Sequence, residues 1–213
     1  CRFLLMCPGY YDYDRGYVPE FEGSDEFQGR LFHAQHWPQD LDYKDKKVVV
    51  VGSGATAVTL VPEMSRETGH IVMLQRSPTY IASIPEEDPW ADSLQRFLPA
   101  SWVFRIIRWK RVLFQIFTFN LSRKRPRLIR RALLDRVREE LGPDYDVKTH
   151  FTPSYNPWDQ RLCAVPDGDM FAAIREKRME VVTDHIERFT GNGIRLKSGR
   201  DLEADIVVLA TGL

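Results

Sequence analysis

Two short stretches of this chain carry residue types suited to holding phosphates. Gly52-Ser53-Gly54-Ala55-Thr56-Ala57 reads G-x-G-x-x-A and follows the apolar run Val48-Val49-Val50-Val51. The first glycine permits a sharp turn from strand to helix. The second lets the backbone approach a diphosphate where a Cβ would clash, and small Ala57 lets the helix pack on the strand. The helix N-terminus then offers free N–H groups and a partial positive charge. A strand before and a helix after are the context in which this pattern signals dinucleotide binding; the bland alternative is a glycine-rich turn. The second stretch, Gln75-Arg76-Ser77, falls where the next strand should end. An NAD or FAD site places an acid there for the ribose hydroxyls, yet residues 71–85 contain none. A guanidinium matches phosphate geometry as a fork. Arg76 is therefore the candidate ligand for a 2′-phosphate, with Ser77 and Gln75 beside it, which selects NADPH. Otherwise Arg76 is an ordinary solvated side chain.

These residues need a frame to hold them. The continuous β-branched run 48–51 suits a strand buried on both faces of a parallel sheet. Residues 55–66 follow a helical pattern, with Pro62 expected to kink or tighten it; Gly69 ends it and 71–74 is the second strand, a βαβ start. Residues 8–46 read as an irregular linker, rich in Tyr, Pro, Gly and charge. Across 88–142 apolar residues recur at near-helical spacing between Pro99 and Pro126, predicting a helical insertion of two or three helices closed by Gly142-Pro143. Residues 143–169 read as a long functional loop, and 170–178 as a short helix. Strands follow at 181–182, 186–190 and 194–196, with glycine turns between them, and a last core strand at 206–209. The expected fold is α/β: a Rossmann-like NAD(P)-binding domain with a parallel central sheet, a helical insertion and a small antiparallel β-meander.

Composition sets broad limits. At 213 residues the chain can bury a core without disulfides. Thirty basic and thirty acidic residues cancel, so net charge points to no partner. Three scattered cysteines make neither a disulfide framework nor a zinc site, which fits a reducing, cytoplasmic location. His36, His70, His150 and His185 lack metal-like spacing. Neither a signal peptide nor a run long enough to span a membrane is visible. The chain opens at Cys1 in an apolar stretch, 2–7, that reads as a strand turning at Pro8-Gly9, and it stops at Leu213 after another strand. Such ends imply a piece of a longer protein.

A further pattern is F-x-G-x-x-x-H-x-x-x-W-P, carried by Phe27, Gly29, His33, Trp37 and Pro38. It resembles the fingerprint of the Baeyer–Villiger monooxygenases, within the flavin-containing monooxygenases. Residues 32–42, 48–61, 74–81, 155–163 and 205–212 are similar to the ethionamide-activating type. The resemblance implies two interleaved nucleotide domains, with FAD held mostly by segments outside this chain. Residues 1–46 would be a crossover strand and linker, and 47–213 the NADPH-binding domain. Cys7-Pro8-Gly9 and Ala210-Thr211-Gly212 would be the crossovers.

The resemblance also places Arg161 as the active-site arginine. A permanent cation there stabilises a peroxide anion and the alkoxide formed when it attacks a ketone. The alternative for Arg161 is a salt bridge to Asp159 or Asp167. Gln160 stands where relatives often carry a 2′-phosphate-binding Lys. By analogy His33 and Trp37 lie at a domain junction and couple movement to cofactor handling. The bland reading is a packed linker, with Phe27 and Trp37 as anchors, Gly29 at positive φ and His33 as a hydrogen-bonded strut. The implied substrate is a small ketone, sulfide or thioamide. The alternatives are a non-catalytic nucleotide-binding module and an N- or S-oxygenating flavin monooxygenase.

The insertion is basic, through Arg105, Arg108, Lys110, Arg111, Arg123, Lys124, Arg125, Arg127, Arg130 and Arg131. A solvated helix face over a core is the preferred reading, ahead of peripheral membrane contact. No motif supports nucleic-acid binding, and the other partner expected is the FAD domain of the parent chain.

Overall fold

The computed structural model describes residues 2–7, 14 and 16–212. Five parallel strands form the central sheet: β1 (Arg30–His33), β2 (Lys47–Val51), β3 (His70–Gln75), β6 (Met179–Thr183) and β10 (Ile206–Leu209), in the order β1-β10-β2-β3-β6. The valines of β2 face both ways, as a doubly covered strand requires. Val48 and Val50 join one core with α1 (Ala55–Met64) and α6 (Asp169–Arg175). Val49 and Val51 join a second core with Phe189, Ile194, Leu196 and Leu202. Those residues belong to an antiparallel meander of β7 (Ile186–Thr190), β8 (Gly193–Leu196) and β9 (Asp201–Glu203). The layers are thus helix, sheet and meander. Pro62 sits inside α1, two residues before its last residue Met64.

The helical insertion is α2 (Pro89–Gln95), α3 (Ala100–Lys124) and α4 (Pro126–Leu141), closed by Gly142 at φ +87°. Pro99 precedes α3 and Pro126 opens α4, as the punctuation predicts. Asp88 caps α2 by accepting from the Trp90 amide at 3.1 Å.

Several sequence expectations are corrected. Residues 2–7 form no strand; Phe3, Leu4, Leu5 and Met6 are exposed. Cys1, the Pro8-Gly9 turn, with it most of the Cys7-Pro8-Gly9 crossover, and Leu213 lie outside the described residues. The linker 8–46 contains β1, which pairs with β10 from Arg30↔Ile206 to His33↔Leu209. The loop 143–169 contains α5 (Val147–Phe151) and β5 (Leu162–Pro166). β5 pairs in parallel with β4 (Tyr80–Ile84) as a separate two-stranded sheet.

The preferred reading of the basic insertion holds for α4, which sets Leu134 and Val137 in the core, but not for α3. α3 buries only Val103 and Ser122 of its 25 residues. Trp102, Ile106, Trp109, Leu113 and Ile116 are all exposed, at the four–three spacing that puts residues on one helix face. The described residues provide no core beneath that face, because α3 packs against α2 and α4 alone among the longer helices.

Candidate functional site

In an open parallel sheet, ligands bind beyond the carboxyl ends of the strands, where the winding direction reverses. Here β2 leads to β3 on one side and has β10 on the other. A cleft of about 630 Å³ opens at that point. Val51, Gly52, Ser53, Gly54, Ala55, Thr56, Arg76, Ser77 and Arg161 all line it.

The glycine turn is built as the pattern requires. Gly52 has φ +143°, and a Cβ there would lie 2.4 Å from the Ala210 carbonyl oxygen. Its amide donates to the Leu74 carbonyl at 2.8 Å, which ties the turn between β2 and α1 to the end of β3. Gly54 is the N-cap of α1 and has no side chain to satisfy the first amides, leaving them for a ligand. Ala57 is fully buried against the sheet.

Arg161 lies over this turn. Its Nε donates to Thr79 Oγ1 at 3.0 Å and its Nη2 to Ser53 Oγ at 3.4 Å. Nη1 is 3.6 Å from where a Cβ on Gly54 would sit. Tyr155 closes the arrangement: its hydroxyl donates to the Arg161 carbonyl at 3.0 Å and lies 3.2 Å from Thr79 Oγ1. Tyr80 holds the Tyr155 carbonyl at 2.7 Å. Neither expected salt bridge forms. Asp159 pairs with Arg123 at 2.5 Å, which holds its carboxyl below the usual range, with Asn156 adding to the effect. Asp167 accepts from the Glu86 amide instead. Below the turn, Cys163 Sγ approaches the Ser53 carbonyl at 3.9 Å. Burial pushes its thiol up, against the opposing charge of Arg161, so this cysteine is no ready nucleophile.

Two residues grouped with the cofactor ligands do not reach the cleft. Gln75 is buried, and its amide nitrogen donates to the His150 carbonyl at 2.7 Å and to Thr183 Oγ1 at 2.8 Å. Strand alternation turns it inward while Arg76 turns out. Gln160 is exposed and lies outside the cleft lining.

The fingerprint residues form a packed junction. Phe27 meets Phe189 edge-on at 6.0 Å, and Trp37 meets Phe32 at 5.3 Å. Pro38 offers its carbonyl to the Leu41 amide at 3.3 Å. Gly29 is not at positive φ; its Cβ would lie 2.3 Å from the Asp205 carbonyl oxygen, so close approach is the reason for glycine. His33 Nδ1 accepts from the Gln35 amide at 3.2 Å, which leaves Nε2 to donate to the Gly212 carbonyl at 3.0 Å. That bond ties β1 to the turn after β10, and Thr211 and Gly212 line the cleft.

Sequence reading missed Thr79 and Tyr155, and also Asp184, His185 and Lys197 on the far rim of the cleft. The last three follow the carboxyl end of β6 or β8, the position from which a parallel strand or its neighbour feeds such a site. Among the described residues no group of three or more His, Cys, Asp or Glu is placed to hold a metal. None of their helices is long and apolar enough to cross a membrane.

Residues 3–99 match the flavin-binding monooxygenase-like family. The whole chain is 55% identical to the FAD-containing monooxygenase EthA of Mycobacterium tuberculosis, covering 44% of that protein. It is 53% identical, again over its whole length, to the probable FAD-binding monooxygenase AlmA of Acinetobacter baylyi, covering 43% of it. The chain therefore spans under half the length of the curated relatives it matches. Among solved structures, 92% of the chain superposes on 44% of a steroid monooxygenase bound to NADP, with TM-score 0.71 and 21% identity. It superposes equally on 45% of cyclohexanone monooxygenase in its open form, with TM-score 0.66 and 19% identity. These two likenesses are of fold.

Proposed function

We propose that this chain, a match to the flavin-binding monooxygenase-like family over residues 3–99, is the NADPH-binding part of an FAD-dependent monooxygenase of Baeyer–Villiger type. Residues 47–213 are the nucleotide domain, and 1–46 the crossover and linker. The observation that carries the reading is the cleft. Arg76, Arg161 and Lys197 line it together with the Gly52–Gly54 turn, and none of the three has an ion-pair partner among the described residues. Unpaired cations converging on free helix amides fit a ligand with phosphates at both ends of its adenosine half.

Ser53, Gly54, Ala55 and Thr56 would receive the diphosphate, and Arg76 with Ser77 the 2′-phosphate. FAD, when bound in the whole protein, would supply the redox chemistry that activates O₂, with NADPH as the reductant. Arg161 presents a planar guanidinium cation. Thr79 and Tyr155 fix its direction, so the guanidinium need not reorganise as negative charge develops on oxygen. The proposed substrates are small ketones, sulfides or thioamides. The relatives named as FAD-containing or FAD-binding monooxygenases support turnover in the whole protein over a purely non-catalytic module.

Arg161→Ala in the full-length enzyme tests the role. NADPH consumption is expected to continue while oxygenated product falls by roughly two to three orders of magnitude, the usual effect of losing one preorganised charge-stabilising group. Retained oxygenation would remove Arg161 from the chemistry.

A further inference from the structure

We infer that Lys197, on the meander rather than on the nucleotide-binding core, is a second cationic ligand for the 2′-phosphate and a determinant of NADPH over NADH. This rests on the NADPH reading above. Its starting point is a chain of backbone contacts that places Lys197 beside Arg76. β3 ends at Gln75, whose carbonyl accepts from the Asp184 amide at 3.0 Å. Arg76 and Asp184 therefore leave adjacent parallel strands side by side. One residue on, the His185 carbonyl accepts from the Lys197 amide at 2.9 Å. Arg76, Asp184, His185 and Lys197 are thus carried by three neighbouring backbone segments, and all four line the cleft.

Charge decides what that corner can hold. Asp184 is the one acid among the described residues of the lining. Its Oδ1 accepts from the His185 amide at 2.6 Å and its Oδ2 from the Ser198 amide at 3.2 Å. Oδ1 is thereby engaged by the amide of the next residue and Oδ2 by the turn that presents Lys197. Arg76 and Lys197 make no side-chain hydrogen bond or ion pair with any described residue, whereas neighbouring Arg195 and Arg200 are paired with Asp201 and Glu180. Arg76 and Lys197 together outweigh the single Asp184 carboxylate, so this corner keeps a net positive charge that an added anion would satisfy. The diphosphate is served by the glycine turn, so the phosphate left for this corner is the one on the adenosine ribose. Arg76 contributes the planar fork; Lys197 contributes a point charge on a flexible stem, which suits a rim position.

The test is equilibrium binding of 2′,5′-ADP and 5′-AMP to the full-length protein, which reads the corner without turnover. Wild type is expected to prefer 2′,5′-ADP. Lys197→Ala should weaken 2′,5′-ADP roughly tenfold, the scale of one charge-assisted contact, and leave 5′-AMP unchanged. Lys197→Arg should restore the preference, and added salt should shrink the difference. If Arg76→Ala abolishes the preference while Lys197→Ala leaves it intact, the inference about Lys197 is wrong and the NADPH reading stands. If wild type shows no preference for 2′,5′-ADP, the NADPH reading itself falls. Equal weakening of both ligands by Lys197→Ala would assign Lys197 to the adenine or ribose and also overturn the inference.

Discussion

The central sheet and helix α3 differ in what specifies them. Each buried strand of the sheet is covered on both faces, and Val49, Val50, Ile71, Met73 and Val207 are almost wholly inaccessible. Helix α3 is the longest element, yet most of its large apolar residues face outward. It is held near its middle and at its far end instead. Asp88, only 7% exposed, receives Lys110 and Arg111, and Lys110 also lies 4.7 Å from the Trp90 ring centroid. At the far end Arg123 grips Asp159, and Phe119 meets Trp158 at 5.9 Å. Burial fixes the central sheet; polar clasps fix the insertion. The second clasp also anchors the loop that delivers Arg161, so the insertion is mechanically joined to the site.

Three substitutions bear on that contrast. The largest effect belongs to Phe171→Ala, since Phe171 is fully buried and stacks near Phe151 at 5.9 Å. A loss of about 3–5 kcal/mol is expected, seen as a lower urea midpoint. Next comes Asp88. Its carboxyl is held low chiefly by the Lys110 contact, with the Trp90 amide and Arg111 adding to this against some burial. A carboxylate whose folded pKa is depressed contributes stability that is present above its unfolded value and lost as pH falls through the folded one. Helix content followed by circular dichroism should therefore decline on acidification below 3.8, and Asp88→Asn should weaken that part of the decline. The smallest effect is expected for Trp109→Ser. Trp109 is 62% exposed, and the change in stability should stay within about 0.5 kcal/mol. A loss matching that of Phe171→Ala would show that the outer face of α3 is covered in the intact protein, and would erase the contrast.

How far each region was legible follows the same division. The runs 48–51, 71–74 and 206–209 declare themselves because a doubly covered strand needs apolar side chains at every position, a strictly local signal. The insertion was legible as helices through Pro99, Pro126 and Gly142, but nothing local says whether an apolar helix face is covered. β1 escaped because its strand character depends on pairing with β10, far along the chain. The same holds for β4 and β5, whose register joins Tyr80 to Leu162. At the site, the glycine turn and Arg76 were readable from strand–turn–helix grammar. Thr79, Tyr155 and Lys197 were not, because each acquires its place through a contact between segments distant in sequence.

The order of strands has a consequence for synthesis. Among the described residues β10 is the last strand, and it sits inside the sheet, between β1 and β2. While a ribosome is still making residues 143–205, β2 and β3 can already pair, but the other side of β2 stays open. That open side is a row of unpaired amides along an unbroken valine run, a template for pairing with other nascent chains. Translation that ended before residue 206 would release such a chain, and slow translation of the meander would lengthen the same exposure.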